Sequence, residues 1–177
     1  MAQPRQRWGW HQLTPKVAQQ LVRDAHLPEG ALVLDIGAGL GAITRPLIDA
    51  GCRVIAIELH PRRVEQLEVR FAGRATVVRV DAADLRLPRR PFHVVANPPY
   101  GITTAVLRRL LHPGSRLATA HLVLPDWAVQ RWTAPKAPAS QRWSQTFDVR
   151  PGRLIPRHAF RPPPKGSSQV LIIQRRR

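Results

Sequence analysis

Five short apolar runs recur along the first two thirds of the chain, at residues 31–34, 54–57, 75–80, 92–96 and 117–124. Several of the gaps between them carry helical period: residues 61–71 place Val64, Leu67 and Phe71 on one face, and residues 103–111 follow the same rule. Strands joined by crossover helices run parallel, and a parallel sheet must be covered on both faces. The chain is therefore predicted to be α/β, a mostly parallel sheet between two layers of helices.

Local signals refine that frame. Thr14 ahead of Pro15 reads as an N-cap, and Val17, Ala18, Leu21, Val22 and Ala25 then recur at helical spacing, so one helix precedes the first strand. Pro46 lies just inside the first crossover helix and predicts a late start or a kink. Pro135 and Pro138 interrupt residues 133–146, which are expected to form a mobile loop. Residues 147–154 and 170–173, separated by prolines, read as a hairpin that closes the sheet. With 177 residues the whole, 1–177, is expected to be a single domain with a basic N-terminal arm, 1–13, and a basic tail, 174–177.

Lys and Arg number 28 against 11 Asp and Glu, a net charge of +17. A polyanionic partner is the expected consequence. Residues 101–177 hold 14 basic side chains and only Asp126 and Asp148. Solubility, or the Arg, Ala and Pro bias of a high-GC genome, would produce a similar balance. The lone Cys52 suits a reducing compartment, and no apolar run is long enough to span a bilayer. The chain is read as cytoplasmic, off the membrane, and monomeric.

The first strand of the series runs into Asp35-Ile36-Gly37-Ala38-Gly39-Leu40-Gly41, a glycine turn at the strand end where open α/β sheets bind ligands. Position 42 is alanine, so the spacing matches D-x-G-x-G better than G-x-G-x-x-G. Glu58 ends the next strand and is placed to take two ribose hydroxyls. Asp81 ends the third and is placed to accept from an adenine amino group, with the Ala82 amide donating to the ring.

The fourth strand ends in Asn97-Pro98-Pro99-Tyr100. The amine of a nucleobase is a poor nucleophile because its lone pair is delocalised into the ring. The Asn97 amide oxygen and the Pro98 carbonyl can accept its two N–H groups, drawing the nitrogen toward tetrahedral geometry and freeing the lone pair for in-line attack on a sulfonium methyl. Paired prolines preorganise the acceptors, and Tyr100 offers a ring for the base to stack on. Proximity and orientation supply most of the acceleration, and no metal is required.

These residues, in this order, resemble the ribosomal RNA adenine-N6 methyltransferases, the group containing the Erm macrolide-resistance enzymes and KsgA. The resemblance covers nearly the whole chain and extends to Phe160-Arg161-Pro162-Pro163-Pro164-Lys165-Gly166-Ser167-Ser168, similar to the family's F-x-P-x-P-x-V-x-S element. It implies a Rossmann-like class I methyltransferase fold with a seven-stranded sheet, and S-adenosyl-L-methionine as cofactor held by His11, Leu13, Asp35, Gly37, Gly39, Glu58, Asp81, Ala82 and Asn97. It also implies a catalytic set of Asn97, Pro98, Tyr100 and Phe160, with Phe160 closing over a flipped adenine opposite Tyr100. Asn-Pro-Pro-Tyr and Glu58-Leu59-His60-Pro61 look more like Erm than KsgA. The implied partner is therefore 23S rRNA or a pre-50S particle, with resistance to macrolides, lincosamides and streptogramin B as the consequence.

Three departures stand out. Trp10-His11-Gln12-Leu13 replaces the family's Q-N-F-L, so His11 stands where an Asn is expected to touch the cofactor. Gly166 replaces a valine and is expected to loosen the loop behind Phe160. The chain is also expected to lack the helical module that follows the sheet in the family. RNA would then be held by Arg5 and Arg7, the Arg89-Arg90 turn, the loop from Trp132 to Trp143 and the terminal arginines, loosely enough that neighbouring adenines are methylated too. A KsgA-like 16S enzyme, an amino-methyltransferase of DNA or protein glutamine, and a non-catalytic RNA-binding module remain the alternatives at this level.

Overall fold

The computed structural model describes residues 11–176. The arm containing Arg5 and Arg7, and Arg177, lie outside the described residues. In chain order the elements are β1 Gln12–Leu13, α1 Pro15–Asp24, β2 Leu32–Ile36, α2 Thr44–Asp49, β3 Arg53–Glu58, α3 Pro61–Arg70, β4 Ala75–Arg79, β5 Phe92–Ala96, α4 Thr103–Leu110, β6 Leu117–Pro125, α5 Asp126–Thr133, α6 Ser140–Trp143, β7 Phe147–Ile155, β8 Phe160–Arg161 and β9 Ser168–Arg175.

Seven strands form one sheet in the order β4-β3-β2-β5-β6-β9-β7, with β9 antiparallel to both β6 and β7 and the other neighbours parallel. The five apolar runs became β2 to β6, and the closing hairpin is β7 and β9 as expected. Strand periodicity sorts the core: Leu32, Leu34, Ile36, Phe92, Val94 and Ala96 face the layer holding α4 and α5, whereas Val33 and Val95 face the layer holding α1 and α2. Phe71, just past α3, fills a smaller cluster with Leu67, Ala38 and Ala56.

Two local expectations are refined. Thr14 occupies the N-cap position of α1, but its side chain makes no capping bond; Pro15 in the first turn, with no N–H to satisfy, is what suits the start. The crossover helix containing Pro46 does begin late, at Thr44, so the proline sits in its first turn, where a missing donor costs nothing.

One expectation is overturned. Trp132 and Trp143 are not presented to RNA, although residues 134–136, 139, 141, 142, 144 and 145 around them are exposed. The prolines break one helix into α5 and the short α6, and Trp132 and Trp143 fold inward onto the main core, 2% and 7% exposed. Trp143 Nε1 donates to the Pro138 carbonyl at 2.9 Å. Two indoles remove too much apolar surface from water to remain outside once a core lies within reach.

Candidate active site

The sheet order places four strand ends side by side: Asp81 after β4, Glu58 at β3, Gly37 after β2 and Asn97 after β5. Three interstrand steps of about 4.8 Å make a line roughly 14 Å long. A cleft runs along it, lined by His11, Gly37, Glu58, Asp81, Ala82, Asn97, Pro98 and Tyr100 among the expected residues. It is also lined by Ile57, Leu59, Val80 and Ile102, which sequence reasoning passed over. Ile57 and Val80 immediately precede Glu58 and Asp81, so their signal lay beside the carboxylates already singled out.

Gly37 has φ +76°, and a Cβ there would stand 2.7 Å from Pro99 Cδ and 3.4 Å from Pro98 Cα. The glycine turn and the Asn-Pro-Pro-Tyr corner touch through that missing side chain, which brings the two motifs onto one cleft.

Glu58 is buried, and its Oε2 accepts the Gly39 N–H at 2.8 Å. Oε1 accepts from Leu59 at 3.0 Å and His60 at 2.9 Å. Three of about four acceptor positions of the carboxylate are thus taken. The expected grip on two ribose hydroxyls narrows to one free position on Oε2. Gly39 serves the cleft indirectly, by donating to Glu58. Asp81 Oδ1 caps the turn at residues 82–84 by accepting the Ala83 N–H at 2.9 Å, and the residue also lines the cleft.

At the far end, Asn97 Nδ2 donates to the His11 carbonyl at 2.6 Å, leaving Oδ1 as the acceptor. His11 Nδ1 donates to the Pro162 carbonyl at 2.9 Å, and β1 pairs with β8 through Gln12 with Arg161 and Leu13 with Phe160. The position where the family carries Asn therefore holds Asn97 by its backbone, while the imidazole ties the N-terminal strand to the late proline segment. Tyr100 Oη lies 2.7 Å from Ser168 Oγ, with Ser168 fully buried. Burial raises the Tyr100 pKa and the Ser168 bond opposes that, so the phenol stays neutral and the ring is braced from behind. Ser168 closes the late element, yet nothing in the linear sequence tied it to Tyr100.

Besides Gly39, three expected site residues lie off the cleft: Leu13, Phe160 and Asp35. Leu13 and Phe160 face the second core cluster, 2% and 0% exposed, and neither lines the cleft. In this structure Phe160 packs with Ile155, Ala159 and Val170. Gly166 has nothing within 4 Å of its Cβ position. Phe160→Leu is expected to cost about 1 kcal/mol of stability, as a near volume-conserving core change, and to leave methyl transfer per folded molecule within threefold of the parent. A hundredfold loss of rate without loss of stability would instead put the ring on the substrate.

Asp35 lies beneath the glycine turn, 1% exposed, and does not line the cleft. Its Oδ2 accepts from the Thr44 hydroxyl at 2.7 Å, and its buried Oδ1 has no partner. Burial, opposed by the Thr44 bonds and reinforced by Glu58, pushes its pKa up to about 7. Its stabilising contribution is complete below about pH 4 and lost as pH rises through about 7. His121, buried on β6 with Arg150 nearby, is pushed down to about 4, so its contribution is present above about 6.5 and lost on acidification. They amount to roughly 4 kcal/mol for Asp35 and roughly 3 kcal/mol for His121, and the two slopes oppose one another. Asp35→Asn is expected to convert a nearly flat stability profile between pH 4.5 and 6.5 into one that rises with pH, read by urea denaturation. Parallel profiles for variant and parent would contradict this.

A family profile described as ribosomal RNA adenine dimethylase matches residues 1–177. The chain belongs to that family. It is 39% identical over 150 residues to the mycinamicin-resistance protein MyrB of Micromonospora griseorubida, covering 81% of this chain and 47% of MyrB. It is 30% identical over 177 residues to a probable ribosomal RNA small subunit methyltransferase A of Pyrobaculum islandicum, covering 98% of this chain and 74% of that protein. The crystal structure of the 23S rRNA methyltransferase ErmE superposes with a TM-score of 0.80 at 27% identity, over 91% of this chain and 68% of that one. The chain spans about half the length of the first curated relatives it matches. Among the described residues, no helix is long and apolar enough to cross a membrane.

Proposed function

We propose that this chain catalyses S-adenosylmethionine-dependent N6-methylation of an adenine in ribosomal RNA, with 23S rRNA as substrate and resistance to macrolides, lincosamides and streptogramin B as its consequence. The observation that carries the reading is the fixed amide of Asn97. With Nδ2 committed to the His11 carbonyl, Oδ1 is the acceptor left to the cleft, beside the Pro98 carbonyl, on a corner that two prolines stiffen.

The residues fit the cofactor. Ile57, Val80 and Ile102 offer apolar faces for an adenine ring, Asp81 and Ala82 its polar edge, and the open position on Glu58 Oε2 a ribose hydroxyl. The bound cofactor supplies an electrophilic methyl group on sulfonium. Asn97 and Pro98 accept the two N–H groups of the target amine and direct its lone pair, while Tyr100, braced by Ser168, supports the base. The amine loses one proton as the N–C bond forms. The methyl–sulfonium bond would break as the N–C bond forms, and the nearest cleft imidazole to that proton is His11, whose Nδ1 is already committed to the Pro162 carbonyl.

Support for 23S rRNA comes from the Erm-like Asn-Pro-Pro-Tyr and Glu58-Leu59-His60-Pro61 together with the named substrate of ErmE. A 16S substrate is the second reading, favoured by the fuller coverage of the Pyrobaculum relative. Tritiated methyl transfer to protein-free 23S rRNA, 50S and 30S particles, followed by digestion to nucleosides, decides between them. Label in N6-methyladenosine from 23S rRNA is the expected result, label in 30S particles alone selects the second, and absence of label from all three refutes both. We read the acting species as a monomer in the cytoplasm.

A further inference from the structure

The parallel strands have two ends, and the cleft occupies only one. At the other, arginine opens or closely precedes four of the five parallel strands: Arg53 is the first residue of β3, Arg74 precedes β4, Arg90 stands two residues before β5 and Arg116 precedes β6. The order β4-β3-β2-β5-β6 sets these positions in a row across four interstrand steps, about 19 Å.

Two open grooves flank this row. Arg53, Arg74 and Arg90 line one; Arg86, Arg89 and Arg116 line the other, against the end of α4. The adjacent Arg89 and Arg90 make the two grooves contiguous. No Asp or Glu lines either groove. Arg86, Arg89, Arg90 and Arg116 are exposed, and among the described residues no carboxylate pairs with them.

Asp84 reaches only Arg109 of the second groove, at 3.5 Å; the excess of like charges repels, and a polyanion relieves that repulsion. Guanidinium forks match phosphate oxygens. A lipid surface fits less well, since the exposed large apolar side chains, Val69, Trp127 and Leu154, line neither groove.

We propose that this row is a second RNA-backbone surface, which holds a segment of ribosomal RNA remote from the target adenine. The inference deepens the functional reading and rests on it. Arg90 lies just before strand β5 and Asn97 just after it, so seven residue steps hold the two surfaces about 23 Å apart. One nucleotide cannot touch both. The RNA must fold around the sheet edge, as a structured ribosomal domain can and a short hairpin cannot.

The test is Arg53→Gln/Arg86→Gln/Arg116→Gln, compared with the parent on full-length rRNA and on a short hairpin that the parent methylates. On full-length rRNA, affinity is expected to fall ten- to a hundredfold at 150 mM salt, and the slope of log K against log salt to become shallower by about three. On the hairpin, kcat and KM should match the parent, as should Tm and S-adenosylhomocysteine affinity. Unchanged affinity and slope on full-length rRNA overturn the proposal, as does an equal loss on the hairpin, which would assign the arginines to the cleft. Loss of binding to phosphatidylserine vesicles with RNA affinity retained also overturns it, in favour of a membrane. A parent that binds rRNA through these arginines but transfers no methyl group refutes the catalytic reading while leaving the surface standing.

Discussion

Asn97→Ala is expected to slow methyl transfer about a thousandfold at saturating RNA and cofactor. The magnitude follows from what the amide does. It supplies one of two preorganised acceptors whose work is greatest as the amine pyramidalises, and removal of one such group typically costs two to three orders of magnitude. The variant also loses the 2.6 Å bond to the His11 carbonyl, about 1 kcal/mol of local order at the N-terminal strand. Single-turnover transfer of tritiated methyl separates the two effects, because a fault confined to the strand raises KM and leaves the saturated rate alone. Asn97→Asp sharpens the comparison. It keeps an acceptor oxygen but sets a carboxylate against the His11 carbonyl, so it should recover little of the rate. An alanine variant with a tenth of parental turnover would remove Asn97 from the chemistry.

Gly41→Ala is expected to give the largest stability loss of any single methyl group added to the glycine turn. Gly41 has φ +84°, and a Cβ there would lie 2.3 Å from Phe71 Cε2 and 2.8 Å from Cζ. The ring cannot swing aside. It is fully buried against Leu67, and Arg45, Arg70 and Arg74 hold their guanidiniums within 5.8 Å of its centroid. Left-handed backbone for a non-glycine residue costs roughly 1–2 kcal/mol and overpacking another 1–3, which together lower Tm by about 5–15 °C for a chain of this size. Phe71→Leu in the same molecule should return part of the overpacking and none of the backbone cost. A calorimetric scan of the two single variants and the double variant measures that coupling, and strict additivity would mean that the contact is not what limits the site.

The contrast between these positions bears on how much was legible beforehand. Gly37, Glu58, Asp81, Asn97 and Tyr100 could be picked from the linear sequence because each stands at a strand end, where local spacing alone marks the place. Trp132, Trp143 and Phe160 were assigned to RNA or base contact and proved to be core. An aromatic residue carries the same sequence signal in either setting, and only the proximity of other apolar surface decides which way it turns. Ser168 was quoted within its motif without a role, since its partner Tyr100 lies 68 residues away.

The period of the apolar residues determined the α/β layering, and the short motifs at the ends of β2 to β5 determined which end of the sheet carries the chemistry; both are properties of a few neighbouring residues and survive without knowledge of the rest of the chain. Tertiary structure alone decided which lone pairs remain free on Glu58, which way the Asn97 amide points, and that arginines from four separate connections form one row. Leu59 and His60 are local partners of Glu58, but the Gly39 bond and the Asn97 bond join residues 19 and 86 apart, and such a bond or a charge cluster comes into being only when the folded chain closes that distance.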